Sequence, residues 1–263
     1  SDYELNWARP LKSIIALFDS QLIDFQFYHL YSGHDTFLGQ TDEKSTKIIN
    51  YKFYLSTLKS HKIILDQDSR KKFIISKFKK VCSNKNLKEQ FNQHLIEEVT
   101  NLVETPNIIV GRFNEIFLKI PNEILTTTMQ HHQKFFPLFD LKNKLTSSFL
   151  IVANVKDPKG LVKSGNERVI TARLSDAKFF WERNKSQSLV KQVVKLKKLS
   201  FFNSLGTVFD KTQRLRKIGS LISDQLNINK EKIEIACSIC KSDLVSDLIN
   251  EYPELQGVMG KYF

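Results

Sequence analysis

From Glu167 to Phe263 the chain contains one proline, Pro253, and its apolar residues recur at helical spacing. Leu189, Val193, Leu196 and Leu199 form one stripe. Leu215, Ile218, Leu221 and Ile222 form a second; Ile233, Ala236, Cys237 and Cys240 start a third, followed by Leu244 and Leu248. A period near 3.6 sustained this far, without helix breakers, predicts an all-helical segment.

The N-terminal half has a different texture. Ile14 to Phe18 is a short apolar run, and Ile23, Phe25 and Phe27 alternate with polar residues as a half-buried strand does, with Asp19, Ser20 and Gln21 as the turn. Tyr51, Tyr54, Leu55 and Leu58 fall at helical spacing. Asp68 is read as the cap of a second helix with Phe73, Ile74 and Phe78 inside, and Asn86 as the cap of a third with Phe91, Leu95, Val99, Leu102 and Val103. Ile108 to Val110 reads as a buried strand ended by Gly111, and Asn122 as the cap of a helix running towards His132. Phe135 to Phe139 and Phe149 to Val152 read as strands joined by the turn Asp140 to Lys144. The fold class is therefore α+β: a mixed α/β domain over 1–160, then an all-helical basic domain over 161–263.

Charge separates the halves again. Residues 1–155 carry 20 basic and 16 acidic side chains, residues 156–232 carry 18 and 7, and residues 233–263 carry 2 and 5. Nearly all of the net +12 thus lies in the middle segment. A local basic field points to a polyanion, most commonly nucleic acid; a solvated lysine-rich surface is the alternative. A hydrophobic share of 41% excludes disorder, and no apolar run is long enough to span a membrane. Three cysteines without a signal peptide read as a reducing compartment, hence cytoplasm.

Candidate chemistry is sparse. Cys237 and Cys240 have redox or metal spacing, but Cys82 is the only other thiol and no histidine follows His132, so they read as buried structural thiols. His131 and His132 are adjacent and face different ways, so they read as packing or surface histidines, with an RNA contact as the functional alternative. His34 and Asp35 lie between Gly33 and Gly39, where His34 is a possible pocket element. No phosphate-binding glycine loop or nucleophile elbow exists. The basic helices carry the clearest signal. Arg168, Arg173, Lys178 and Arg183 recur every five residues and so spiral around a helix. Lys191, Lys195 and Lys198 share a face, and Lys211 pairs with Arg214 at i+3. Phe179, Phe180, Trp181, Phe201 and Phe202 lie among them; core packing is the expected role, and stacking on splayed bases the alternative.

The same helices hold an ordered string of motifs: Gly165-Asn166-Glu167-Arg168-Val169, Ala172-Arg173-Leu174-Ser175-Asp176-Ala177-Lys178-Phe179-Phe180, Leu205-Gly206-Thr207, Asp210-Lys211-Thr212, Lys241-Ser242-Asp243-Leu244 and Glu254-Leu255-Gln256-Gly257-Val258-Met259-Gly260. Upstream stand Arg9-Pro10, Glu97-Glu98-Val99-Thr100-Asn101-Leu102-Val103-Glu104, Thr127-Thr128-Met129 and His132-Gln133-Lys134-Phe135-Phe136-Pro137. This string resembles the beta subunit of the bacterial, heterotetrameric type of glycyl-tRNA synthetase. Gly33-His34-Asp35-Thr36-Phe37 departs from the family's Gly-His-Arg-Phe, and Ser242 stands where alanine is usual. The family subunit is much longer, so the chain looks like an internal fragment of it.

The resemblance implies an assembly of two alpha and two beta subunits. The alpha subunit carries the class II active site with glycine, ATP and magnesium; the beta subunit binds tRNA(Gly) rather than DNA or membrane. It implies that 1–160 resembles the editing-type domain of phenylalanyl-tRNA synthetase and that 161–263 resembles the His-Asp phosphohydrolase fold. Lys241-Ser242 replaces that fold's histidine before Asp243, so phosphohydrolase chemistry is not expected, and Asp243 with Lys241 is read as an ion pair or cap. Neither a catalytic residue nor a metal is assigned to this chain, and the tRNA-binding candidates are Arg168, Arg173, Lys178, Lys191, Lys195, Lys198, Lys211 and Arg214. The alternatives are hydrolytic editing of mischarged tRNA by the first domain, or a module that only docks the alpha subunit.

Overall fold

The computed structural model describes residues 11–39 and 44–263; Arg9-Pro10 lies outside the described residues. The chain begins with short strands: β1 Ile14–Ile15, β2 Leu17–Phe18, β3 Gln21–Leu22, β4 Gln26–Phe27, β5 Leu30–Gly33, β6 Asp35–Thr36 and β7 Thr46–Lys47. β2 and β3 form a hairpin in which Leu17 faces Leu22, and both turn residues, Asp19 and Ser20, have positive φ. That is the backbone a two-residue hairpin turn requires. The expected half-buried strand is not there. Ile23, Phe25 and Phe27 are exposed, because pairings two residues long bury no continuous face.

Three helices follow: α1 Tyr51–Ser60, α2 Gln67–Asn84 and α3 Gln93–Leu102. Each begins at an Asx cap, where Asn50, Asp66 and Asn92 accept from the backbone N–H of Phe53, Ser69 and Leu95. Asp66 and Asn92 thus replace the expected caps Asp68 and Asn86. Asp68 lies in the first turn of α2, and Asn86, at φ 52°, follows its end in the left-handed conformation that stops a helix.

Strands β8 Asn107–Arg112, β9 Phe136–Phe139 and β10 Leu145–Ala153 form an antiparallel sheet in the order β8-β10-β9. Between β8 and β9 come a 3-10 turn at Glu115–Lys119, helix α4 Asn122–Thr127 and a π turn at Thr128–His132. Both sheet faces are buried, which is why its strands read as continuous apolar runs. Phe136, Leu138 and Leu150 point to α2 and α3, where they meet Ile74, Phe78, Leu95, Ile96 and Val99. Phe149 and Ile151 point the other way, into a larger cluster.

That cluster takes side chains from both sides of residue 160. Phe113, Leu125, Met129 and Phe149 pack with Ile170, Leu174, Ala177 and Trp181 of helix α5 Leu161–Lys185, and with Leu248 and Tyr252. α5 starts after Gly160 at φ 69°, and the Asp157 carboxylate accepts from the Val162 and Lys163 N–H groups at its first turn. Beyond it run α6 Leu189–Gln192, a 3-10 segment Val193–Lys198, strands β11 Ser200–Phe202 and β12 Gly206–Thr207, then α7 Val208–Leu226, α8 Lys230–Ile239, a 3-10 turn Ser242–Val245 and α9 Asp247–Glu251.

Two expectations for this half change. It is not all-helical: β11 and β12 form a hairpin, closed by Ser204 at φ 64° and Gly206 at φ 77°. Ile218, Leu221 and Ile222 of α7 face solvent. α8 packs on the small-residue side of α7 instead, where a Cβ on Gly219 would lie 2.8 Å from Ile233. Among the described residues, no helix is long and apolar enough to cross a membrane.

Candidate nucleic-acid interface

The buried stripe of α5, Ile170, Leu174, Ala177, Trp181 and Asn184, steps by four and three and so occupies one face. At about 100° per residue, Arg168 and Phe179 project from the opposite face, while Arg173 and Lys178 flank the stripe on either side. The expected spiral is therefore present. Its fourth member is engaged: Arg183 pairs with Asp247 at 3.1 Å.

Lys191 ends up on α6, whereas Lys195 and Lys198 lie on the 3-10 segment, so the three do not share one α-helical face. Lys195 and Lys198 still align, because residues three apart eclipse in a 3-10 helix. The capping box of α7 was missed in the sequence, although Thr207-x-x-Asp210 is its signature. Thr207 Oγ1 accepts from the Asp210 N–H at 3.2 Å, and the Asp210 carboxylate accepts from the Thr207 N–H at 2.8 Å. That hydrogen bond holds the Asp210 carboxyl below its usual range. The box places Lys211 and Arg214 in the first two turns of α7.

The 3-10 segment, which carries Lys195 and Lys198, packs on α7, which carries Lys211 and Arg214. α5 packs chiefly on β8, α4, the π turn and α9, and carries Arg168, Arg173 and Lys178 on different sides. All eight candidates are exposed or half-buried, and among the described residues none forms a salt bridge.

The aromatics divide. Trp181 and Phe180 join the core, but Phe179, Phe201 and Phe202 are 59%, 39% and 66% exposed, against the expected core role. Lys211 Nζ lies 4.1 Å from the Phe201 ring centroid, and Lys197 Nζ lies 4.9 Å from that of Phe209. Exposed rings beside cations are the elements that hold splayed bases next to phosphates.

His132 stacks on Tyr252 with ring centroids 5.0 Å apart, the packing role expected of it. Burial, with the positive charge of Arg173 nearby, holds the imidazole below its ordinary pKa. His34 Nδ1 lies 3.0 Å from the Ile48 carbonyl oxygen. The nearby cavity, lined by Ile15, Thr36, Ile48 and Tyr54 among others, does not include His34. Cys237 is half-buried and Cys240 exposed, so they are not the buried thiols expected; α8 buries no residue fully. Asp243 makes no ion pair with Lys241; it is 2% exposed and accepts from the Gly257 N–H at 2.5 Å.

The model of the glycyl-tRNA synthetase beta subunit family matches residues 1–263. Proteins named glycine–tRNA ligase beta subunit from Syntrophomonas wolfei, Rickettsia felis and Thermodesulfovibrio yellowstonii are 36%, 35% and 36% identical to it, over 100%, 100% and 98% of the chain. The chain spans only 39–40% of the length of these relatives. With its motifs in order and matched from end to end, the chain belongs to the glycyl-tRNA synthetase beta subunit family.

Proposed function

We propose that this chain acts within a glycine–tRNA ligase, binding tRNA(Gly) and assembling with an alpha subunit. In this reading glycine, ATP and magnesium belong to the alpha subunit, and this chain contributes no catalytic group. The reading rests on one observation above all: within a chain of this family, eight exposed or half-buried cations on and around α5, α6 and α7 form no salt bridge among the described residues. Phosphate contacts from such side chains supply affinity and position, while exposed Phe179, Phe201 and Phe202 offer stacking surfaces. On the same resemblance, 1–160 is read as an editing-type domain and 161–263 as a degenerate His-Asp helical domain. Lys241-Ser242 in place of a histidine before Asp243, with no histidine after His132, supports the degenerate reading.

Binding of tRNA(Gly) at two salt concentrations tests the reading. Affinity should fall as salt rises, and Lys195→Glu with Lys198→Glu should weaken it and reduce the salt slope by about one per cation lost. Salt-independent binding, or none at low salt, would sink it. Co-purification with an alpha subunit but no tRNA affinity would leave docking alone.

A further inference from the structure

A groove of about 860 Å³ runs between the C-terminal half of α1, the loop 61–66, the start of α2 and the first residues of β8. None of the eight tRNA-binding candidates lines it. Its apolar lining is mainly aliphatic: Leu55, Leu58, Ile63, Ile64, Leu65 and Ile108. Leu65 is 53% exposed and Leu55 38%, so the groove presents this surface to solvent. Lys59, Lys62, Lys77 and Lys156 also line it, and among the described residues none of the four forms a salt bridge. Against four ammonium groups stands the carboxylate of Asp66, which is turned inward to cap α2 through the Ser69 N–H at 2.7 Å.

Two features select the occupant. The lysines call for negative charge. The aliphatic lining calls for apolar side chains, since bases prefer aromatic platforms. The groove's phenyl ring, Phe73, already has Lys77 Nζ at 5.1 Å from its centroid. We propose that this groove docks a segment of another polypeptide that is apolar along one side and acidic along its flanks. Its leucine- or isoleucine-like residues would fill the lining, and its carboxylates would meet Lys59, Lys62, Lys77 and Lys156. The proposal does not depend on the tRNA reading.

Selection from a displayed library of random peptides about 16 residues long, against the whole chain, tests it. Enriched peptides should pair regularly spaced apolar residues with Asp or Glu. Synthesised, they should lose about tenfold or more in affinity to Lys59→Glu with Lys62→Glu, read by fluorescence anisotropy. Leu65→Ser, at an exposed position, should weaken them without moving the melting temperature. No enrichment, or full affinity in both variants, overturns the proposal. Displacement of the peptide by oligouridylate at equal concentration also overturns it, and assigns the groove to nucleic acid.

Discussion

Gly111 in the central sheet has no room for a side chain. A Cβ there would lie 2.6 Å from the Phe149 ring, which fills the core behind it. Gly111→Ala should therefore destabilise the protein by about 1–3 kcal/mol, read from chemical denaturation. Cysteine reactivity should follow burial. Burial pushes the Cys82 thiol up to about 11; partial burial raises the Cys240 thiol too, but its side chain is open to solvent. A thiol reagent should label Cys240 in the folded protein, and Cys82 only after unfolding. His132 has its pKa lowered in the folded state by burial. The unfolded chain then takes up this proton first, so stability should fall as pH drops below about 6.5. Replacing His132 with Phe should flatten that part of the profile of melting temperature against pH; an unchanged profile would remove His132 as its source. None of these three environments was legible in the sequence. The reading that His132 packs was available; its partner, Tyr252, lies far along the chain.

At the scale of elements, capping decides where the basic residues sit. Thr207→Ala removes half of the capping box and should cost about 1 kcal/mol. Hydrogen exchange in the first turn of α7 should rise accordingly. Because the Asp210 carboxyl is held below its usual range, its contribution is present above that range and is lost as pH falls through it. Helix α5 depends on packing rather than caps alone. Leu174→Ala should cost about 2–5 kcal/mol, since that side chain is fully buried between α5 and the sheet cluster. Helices and strands were largely legible because periodicity and turn residues are local. Their caps were less so: Asp66 and Asp68 are equivalent in composition, and only the backbone geometry chooses between them. The β11–β12 hairpin went unseen because three residues with two aromatics, Phe201 and Phe202, carry no period.

In the whole molecule, the cluster around Phe149 binds the strands before residue 160 to the helices after it. Residues 107–263 should therefore unfold in one calorimetric transition, and two separated transitions would refute this coupling. The basic segment was visible in the sequence as a charge balance, and the family as an ordered string of motifs. Which cations are left unpaired was not. Arg183 and Arg216 look like their neighbours in sequence, yet Asp247 and Glu234 neutralise them across the fold. The apolar stripe of α7 was visible too, but not its direction: Gly219 admits α8 on another side, leaving Ile218 and Leu221 in solvent. Sequence alone determined the family and the principal helices, because motif order and local periodicity carry those. Only the tertiary structure decided which faces are buried, which charges are satisfied and where the lysine-edged groove opens. Those depend on residues brought together from distant parts of the chain.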